Sequence, residues 1–177
     1  MKRSLALSMM CTMVSCVISS TQPASATPGF ISVCTNVVVD ASVKKGTALA
    51  CLDKKNTVIL QALRGPVVVN VFGSWCAPCQ QEIPKFVALY ATKKVSIVGI
   101  DVEESNVAAG RAFVIKKGIT WPILFDANSS TKANFGPGVP VTWFLNSHGH
   151  VVYEKIGVIR TQAELNGYVT KYLGIRL

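Results

Sequence analysis

With 177 residues, a formal net charge of +9 and half of its residues hydrophobic, the chain is sized for one domain with one sizeable core. Its basic residues include scattered pairs, Lys44-Lys45, Lys54-Lys55, Lys93-Lys94 and Lys116-Lys117. They do not form the stripe that would track a phosphate backbone, which sets nucleic-acid binding aside. The excess charge reads instead as solubility and loose attraction to an anionic membrane or cell wall.

The first 26 residues have the three-part pattern of an export signal. Lys2 and Arg3 supply a charged start, Leu5 to Ile18 an apolar stretch, and Ala24-Ser25-Ala26 a small-residue cleavage site. The apolar stretch falls short of the ~20 residues that a membrane-spanning helix needs. A rival pattern, Met13-Val14-Ser15-Cys16, would leave Cys16 lipidated at a new N-terminus. Cleavage after Ala26 is the expectation, because A-x-A is the cleaner signal, and either route takes the protein out of the cytoplasm. Of the six cysteines, removal of Cys11 and Cys16 leaves Cys34, Cys51, Cys76 and Cys79. Losing Lys2 and Arg3 takes the 18 basic residues to 16 against 9 acids, a mature charge of +7.

Residues 27–65 are polar, broken by glycine and poor in strand signals. With short β-branched runs at Val37–Val39 and Thr57–Leu60, they read as an irregular N-terminal extension carrying a small hairpin. The pattern changes after Arg64-Gly65-Pro66, and residues 66–177 read as the main domain. Val67–Phe72 is a nearly all-apolar β-branched run, the mark of a strand covered on both faces. Ile83, Phe86, Val87 and Tyr90 then fall on one face of a helix. Val95–Val102 is a second buried strand. Residues 105–117 form a helix opened by Ser105 or Asn106 and closed by Lys116-Lys117-Gly118. Ile123–Phe125 is a short apolar run, and Ser129–Phe135 a short helix. Val141–Leu145 and Val151–Val158 are strands joined through the turn "NSHGH". Thr161-Gln162-Ala163-Glu164 fits a capping box for a last helix that buries Leu165, Tyr168, Val169 and Tyr172 before Gly174. Alternating units closed by a hairpin and a helix predict an α/β sheet flanked by helices.

Chemistry concentrates at "VVVNVFGSWCAPCQQEIP", residues 67–84. A buried strand delivers the chain to a turn, and Cys76 follows at the first turn of a helix, facing unpaired N–H groups and the positive dipole end. A thiolate there is stabilised, so its pKa falls from ~8.5 towards neutral or below. Cys79 lies one helical turn on and can close a disulfide with Cys76, and Pro78 fits an opening turn where its missing N–H costs nothing. C-x-x-C can also be half of a zinc site, but a structural zinc needs four ligands, and Cys34 and Cys51 form no second C-x-x-C. Redox cycling is the expectation, with no metal.

The stretch "NVFGSWCAPCQQEIP" resembles the exported TlpA/ResA/CcmG (DsbE-like) branch of the thioredoxin-fold proteins, whose pattern is close to N-x-W-x-x-W-C-x-P-C-x-x-E-x-P. The similarity extends through "VSIVGIDVEE" and "GVPVTWFLNSHGHVVYEKIG" to the final helix, roughly residues 48–174. It implies a thioredoxin fold, a central mixed β-sheet flanked by helices. By the same resemblance Cys76 is the attacking thiol and Cys79 the resolving one, and Trp75 stands beside them. Pro140 is the cis proline opposite the disulfide, leaving the Val139 backbone free for strand-like pairing with a substrate. Pro84 kinks the first helix, and Glu82 tunes the cysteines and shuttles protons; a helix-dipole role is the plainer alternative. Asn70 stands where cytoplasmic thioredoxins carry a buried aspartate. Phe72 departs from the branch's frequent tryptophan and leaves the chemistry untouched.

An exported chain with an even number of cysteines points to a structural bridge between Cys34 and Cys51, stapling the extension, and the resemblance supports it. A second redox pair is the sharper alternative, but these two lack C-x-x-C geometry. His148 and His150 read as surface turn residues with no third ligand nearby. The expected protein is a monomeric extracytoplasmic thiol–disulfide oxidoreductase that needs no external cofactor. Its partners are protein dithiols or disulfides and a membrane thiol–disulfide electron donor or acceptor. The resemblance implies a reductant that keeps apocytochrome c thiols reduced, with oxidation of folding proteins as the alternative. A non-catalytic copper or haem chaperone is a more distant reading, because such chaperones of this fold usually space their cysteines C-x-x-x-C with a dedicated histidine.

Overall fold

The computed structural model describes residues 30–136 and 138–177. The export signal read in residues 1–26, Cys16 included, lies outside them. Seven strands form one mixed sheet: β1 (Ala48–Cys51), β2 (Thr57–Ile59), β3 (Val67–Phe72), β4 (Ser96–Val102), β5 (Ile123–Asp126), β6 (Val141–Leu145) and β7 (Val151–Ile156). Their spatial order is β2-β1-β5-β4-β3-β6-β7. Strands β3, β4 and β5 run parallel, with Val69 opposite Val98 and Ile100 opposite Leu124. The flanking pairs are antiparallel.

All six residues of β3 are buried, as its unbroken apolar run requires of a strand covered on both sides. Alternation then divides the core in two. Val68 and Phe72 pack on one face with Phe86, Val114, Leu165 and Val169, whereas Val67, Val69 and Val71 pack on the other with Leu60, Ile100 and Leu124. The first face carries α1 (Ala77–Ala91), α2 (Val107–Lys116) and the last helix (Gln162–Leu173). The steps from β3 through α1 to β4 and from β4 through α2 to β5 run the same way across the sheet. Right-handed crossovers therefore put both helices on the same side. The other face is covered by the N-terminal segment and by the short α3 (Lys132–Phe135), through Phe135. The last helix, α4, opens at Thr161, whose hydroxyl accepts from Glu164 N at 3.0 Å. The Glu164 carboxylate reaches back to Arg160 N at 2.8 Å, one residue further than a reciprocal box requires.

Four details differ from the sequence expectations. The hairpin is built from Thr57–Ile59 and Ala48–Cys51; alanine and cysteine carry no strand signal, and β1 is a strand because it pairs with both β2 and β5. Val37–Val39 is no strand, and only Val39 bridges to Leu63. The following turn instead collects the polar bonds: Ser42 N and Oγ donate to Asp40, which Arg64 pairs at 2.8 Å. Helix α3 starts only at Lys132, because the Asp126 carboxylate takes the N–H and O–H groups of Ser130 and Thr131 into a cap. Strand β7 ends at Ile156, where Gly157 turns to φ +82°.

Candidate active site

Strand β3 ends at Phe72, and the loop Gly73-Ser74-Trp75 carries the chain to Cys76, which is the N-cap of α1. Its backbone is extended, at φ −84° and ψ 105°, and its Sγ accepts from Cys79 N at 3.1 Å. Sulfur thus takes the place of the capping oxygen of serine or aspartate, so negative charge on it is met by a helix N–H and by the dipole. Pro78 occupies the first turn, where no N–H partner is missed. Cys76 and Cys79 are joined in a disulfide with Cα atoms 5.3 Å apart. Cys79 is fully buried, and Cys76 is 4% exposed, so of the two cysteines only Cys76 touches the surface.

The structure brings the other sequence-chosen residues to this pair. The Val139–Pro140 bond is cis, and Cys76 Sγ lies 3.8 Å from Val139 O. Trp75 is 55% exposed, its indole N–H donating to Val102 O at 3.2 Å. The ring lies over Gly73 so closely that a Cβ there would strike the indole nitrogen; a bare residue is required. Beside Trp75 and Val139 runs an open groove of about 340 Å³, walled by Val71, Val102 and Phe135 and rimmed by Glu103 and Lys132.

Glu82 sits one turn after Cys79, completely buried. Its Oε1 accepts from Asn70 Nδ2 at 2.8 Å and its Oε2 from Ile159 N at 2.9 Å. Burial outweighs these two donors and pushes its carboxyl up to about 7. A carboxyl raised to that value can take or give a proton at neutral pH. Among the described residues Asn70 Oδ1 is buried without a partner. Pro84 lies inside α1 and withholds an N–H from Gln80 O.

Cys34 and Cys51 form a second disulfide with Cα atoms 6.2 Å apart, 4% and 1% exposed, in the core on the opposite side of the sheet from Cys76 and Cys79. Closing a loop of this length is worth ~3 kcal/mol in the chain-entropy account. Replacing both by alanine is expected to lower the free energy of unfolding by about that amount in urea and to leave exchange activity in place. Mass spectrometry after mild reduction and alkylation is expected to find label on Cys76 and Cys79 and little on Cys34 and Cys51. Equal labelling of all four would rule out the staple. His148 and His150 are exposed in the β6–β7 turn, their rings 6.2 Å apart. Among the described residues no group of three or more His, Cys, Asp or Glu is arranged to hold a metal ion.

Sequence reasoning passed over Ser74, Asp101 and Glu104. Glu104 accepts from Ser74 N at 2.6 Å and from Ser74 Oγ at 2.9 Å, two residues before Cys76. The available signal was "IDVEE", an acid at the end of an otherwise apolar strand.

A mixed sheet with a disulfide at a helix N-terminus opposite a cis proline defines a thioredoxin-fold protein. Residues 21–171 match the family model described as Redoxin, and the chain belongs to that family. Thiol-disulfide oxidoreductase ResA of Bacillus anthracis is 32% identical over 117 residues, 63% of this chain and 66% of that one, just under two thirds of the relative's length. A secreted Mycobacterium tuberculosis disulfide oxidoreductase, described as homologous to E. coli DsbE, superposes with a TM-score of 0.59 at 25% identity over 70% of this chain and 94% of that one. A DsbF homologue from Corynebacterium diphtheriae gives 0.58 at 26% identity over 75% and 90%. The resemblance and the fold read from the motif hold.

Proposed function

We propose that the protein is an extracytoplasmic thiol–disulfide oxidoreductase that exchanges disulfides with partner proteins through Trp75-Cys76-Ala77-Pro78-Cys79. The observation that carries this reading is the Cys76 Sγ capping α1, 3.1 Å from Cys79 N and at the edge of the protein surface. The Cys76 thiolate attacks a partner disulfide; a mixed disulfide forms and one partner thiolate leaves. Cys79 loses its proton to the Glu82 carboxylate, attacks Cys76 and releases the second partner thiolate. Two electrons pass to the partner, and the Cys76–Cys79 disulfide remains. In reverse, a partner thiolate opens that bond and leaves oxidised. Cis Pro140 frees the Val139 backbone to pair with the substrate strand, beside Trp75.

Reduction is the direction we favour, with apocytochrome c disulfides, opened to thiols, as a substrate class. The similarity of the motif to the TlpA/ResA/CcmG branch supports it. A reductant outside the membrane must be recharged, so a membrane thiol–disulfide donor is the partner this reading requires. The export signal in the sequence and the secreted relative support the location. The protein is expected to accelerate insulin reduction by dithiothreitol and to have a potential near about −270 mV; a value near about −120 mV would make it an oxidant. Silence in both insulin reduction and refolding of scrambled ribonuclease would overturn the enzymatic reading and favour a thiolate-ligand chaperone.

A further inference from the structure

Asp101 sits at the end of β4, on the face that carries Ile97 and Gly99, and is fully buried. Among the described residues neither of its carboxyl oxygens meets a hydrogen-bond donor. Phe72 and Phe125 lie opposite it on the neighbouring strands. Helix α2 presses so close that a Cβ on Gly110 would collide with Asp101 Oδ2. An ionised carboxylate in that place is withdrawn from bulk solvent and faces no donor among the described residues, which costs several kcal/mol.

Beside it stands Glu104, itself only 8% exposed: the same Cβ on Gly110 would lie 3.7 Å from Glu104 Cγ, so the two acidic side chains meet under the same turn of α2. Both Glu104 oxygens are committed to Ser74, one to the N–H and one to the hydroxyl. Ser74 O in turn accepts from Gln80 Nε2 at 2.7 Å, and the next residue's indole is tied to Val102 O. The loop before Cys76 therefore hangs from the end of β4 and the first turns of α1. Ionisation of both of two buried carboxyl groups side by side is strongly opposed by their repulsion. A proton on Asp101 removes one charge and supplies the missing donor in the same step.

We propose that Asp101 and Glu104 share one proton, Asp101 donating it to the Glu104 carboxylate, and that the pair positions Ser74 and so the N-terminus of α1 beneath Cys76. Both are positioning residues; neither touches the sulfurs. Burial and the Glu104 charge push Asp101 up to about 9, in keeping with the geometry. The other charged groups packed around the end of β4 are engaged elsewhere. Glu103 accepts from Ser129 and Lys132, Asp126 from Ser130 and Thr131, and Arg111 on α2 donates to Leu52 O. As pH rises through the point where the shared proton is lost, two adjacent charges replace one, and the hold on Ser74 loosens.

The link to Cys76 rests on the function proposed above; the shared proton does not. Infrared spectroscopy of the wild-type protein at pH 8, where Glu82 is mostly ionised, is expected to show a carboxylic-acid C=O stretch that Asp101→Asn lacks. Asparagine keeps a donor facing Glu104, so iodoacetamide is expected to alkylate Cys76 of reduced Asp101→Asn within about twofold of the wild-type rate. Asp101→Ala leaves Glu104 without that donor, and its alkylation is expected to slow about tenfold. Absence of the wild-type band, or its survival in Asp101→Asn, would overturn the shared proton without bearing on the exchange chemistry. Equal slowing in the two variants would overturn the positioning role. Should Asp101→Ala fail to fold, the comparison of bands between wild type and Asp101→Asn still decides.

Discussion

Replacing Cys76 by serine is expected to reduce disulfide exchange by more than about a thousandfold, because a hydroxyl neither ionises near neutral pH nor expels a thiolate. Cys79→Ser is expected to behave differently. Cys76 keeps its place as the cap of α1 and still attacks, but nothing behind it resolves the product, so mixed disulfides with partner proteins accumulate. The asymmetry follows from burial: Cys76 is 4% exposed and Cys79 wholly enclosed. Non-reducing electrophoresis of the two variants incubated with a disulfide-bonded substrate reads the difference. Turnover surviving in Cys76→Ser would end this assignment of roles, as would trapping by Cys76→Ser rather than Cys79→Ser.

The second large effect is the pH dependence of stability. The Glu82 carboxyl is raised from an ordinary 4.5 to about 7 by burial. A raised acid binds its proton more tightly in the folded chain than in the unfolded one. Its favourable contribution is complete below about pH 4.5 and is lost as pH rises through 7. Across that window the loss amounts to about 3 kcal/mol. Urea unfolding of the oxidised protein at a series of pH values, compared with Glu82→Gln, is expected to differ by a curve of that shape. The variant has no carboxyl there to titrate, although its amide gives up one of the donors from Asn70 or Ile159. Asp101 titrates in both proteins and cancels in the comparison. Parallel curves would remove Glu82 from the proton bookkeeping of the dithiol.

Much of this was readable in advance where local chemistry and long-range packing agree. The all-apolar β3, the cysteine pair at the mouth of α1 and the capping box of the last helix each carry their own signal within a few residues. The failures have one cause. Ala48–Cys51 has no intrinsic preference for extended structure and is a strand because two partners flank it. Ser130 and Thr131 looked helical until the Asp126 side chain took their polar groups. The candidate site divides the same way. Cys76, Cys79, Pro140 and Glu82 were marked by a motif, whereas Glu104 meets Ser74 only through folding, across 30 positions of chain. Ile159 likewise enters through its backbone N–H, which no side-chain pattern announces.

The two sulfur pairs stand on opposite sides of one hydrogen-bonded sheet. In the function proposed above, that sheet is an insulating wall: backbone stands between the nucleophile and the protein's own scaffold disulfide, and keeps the two from scrambling.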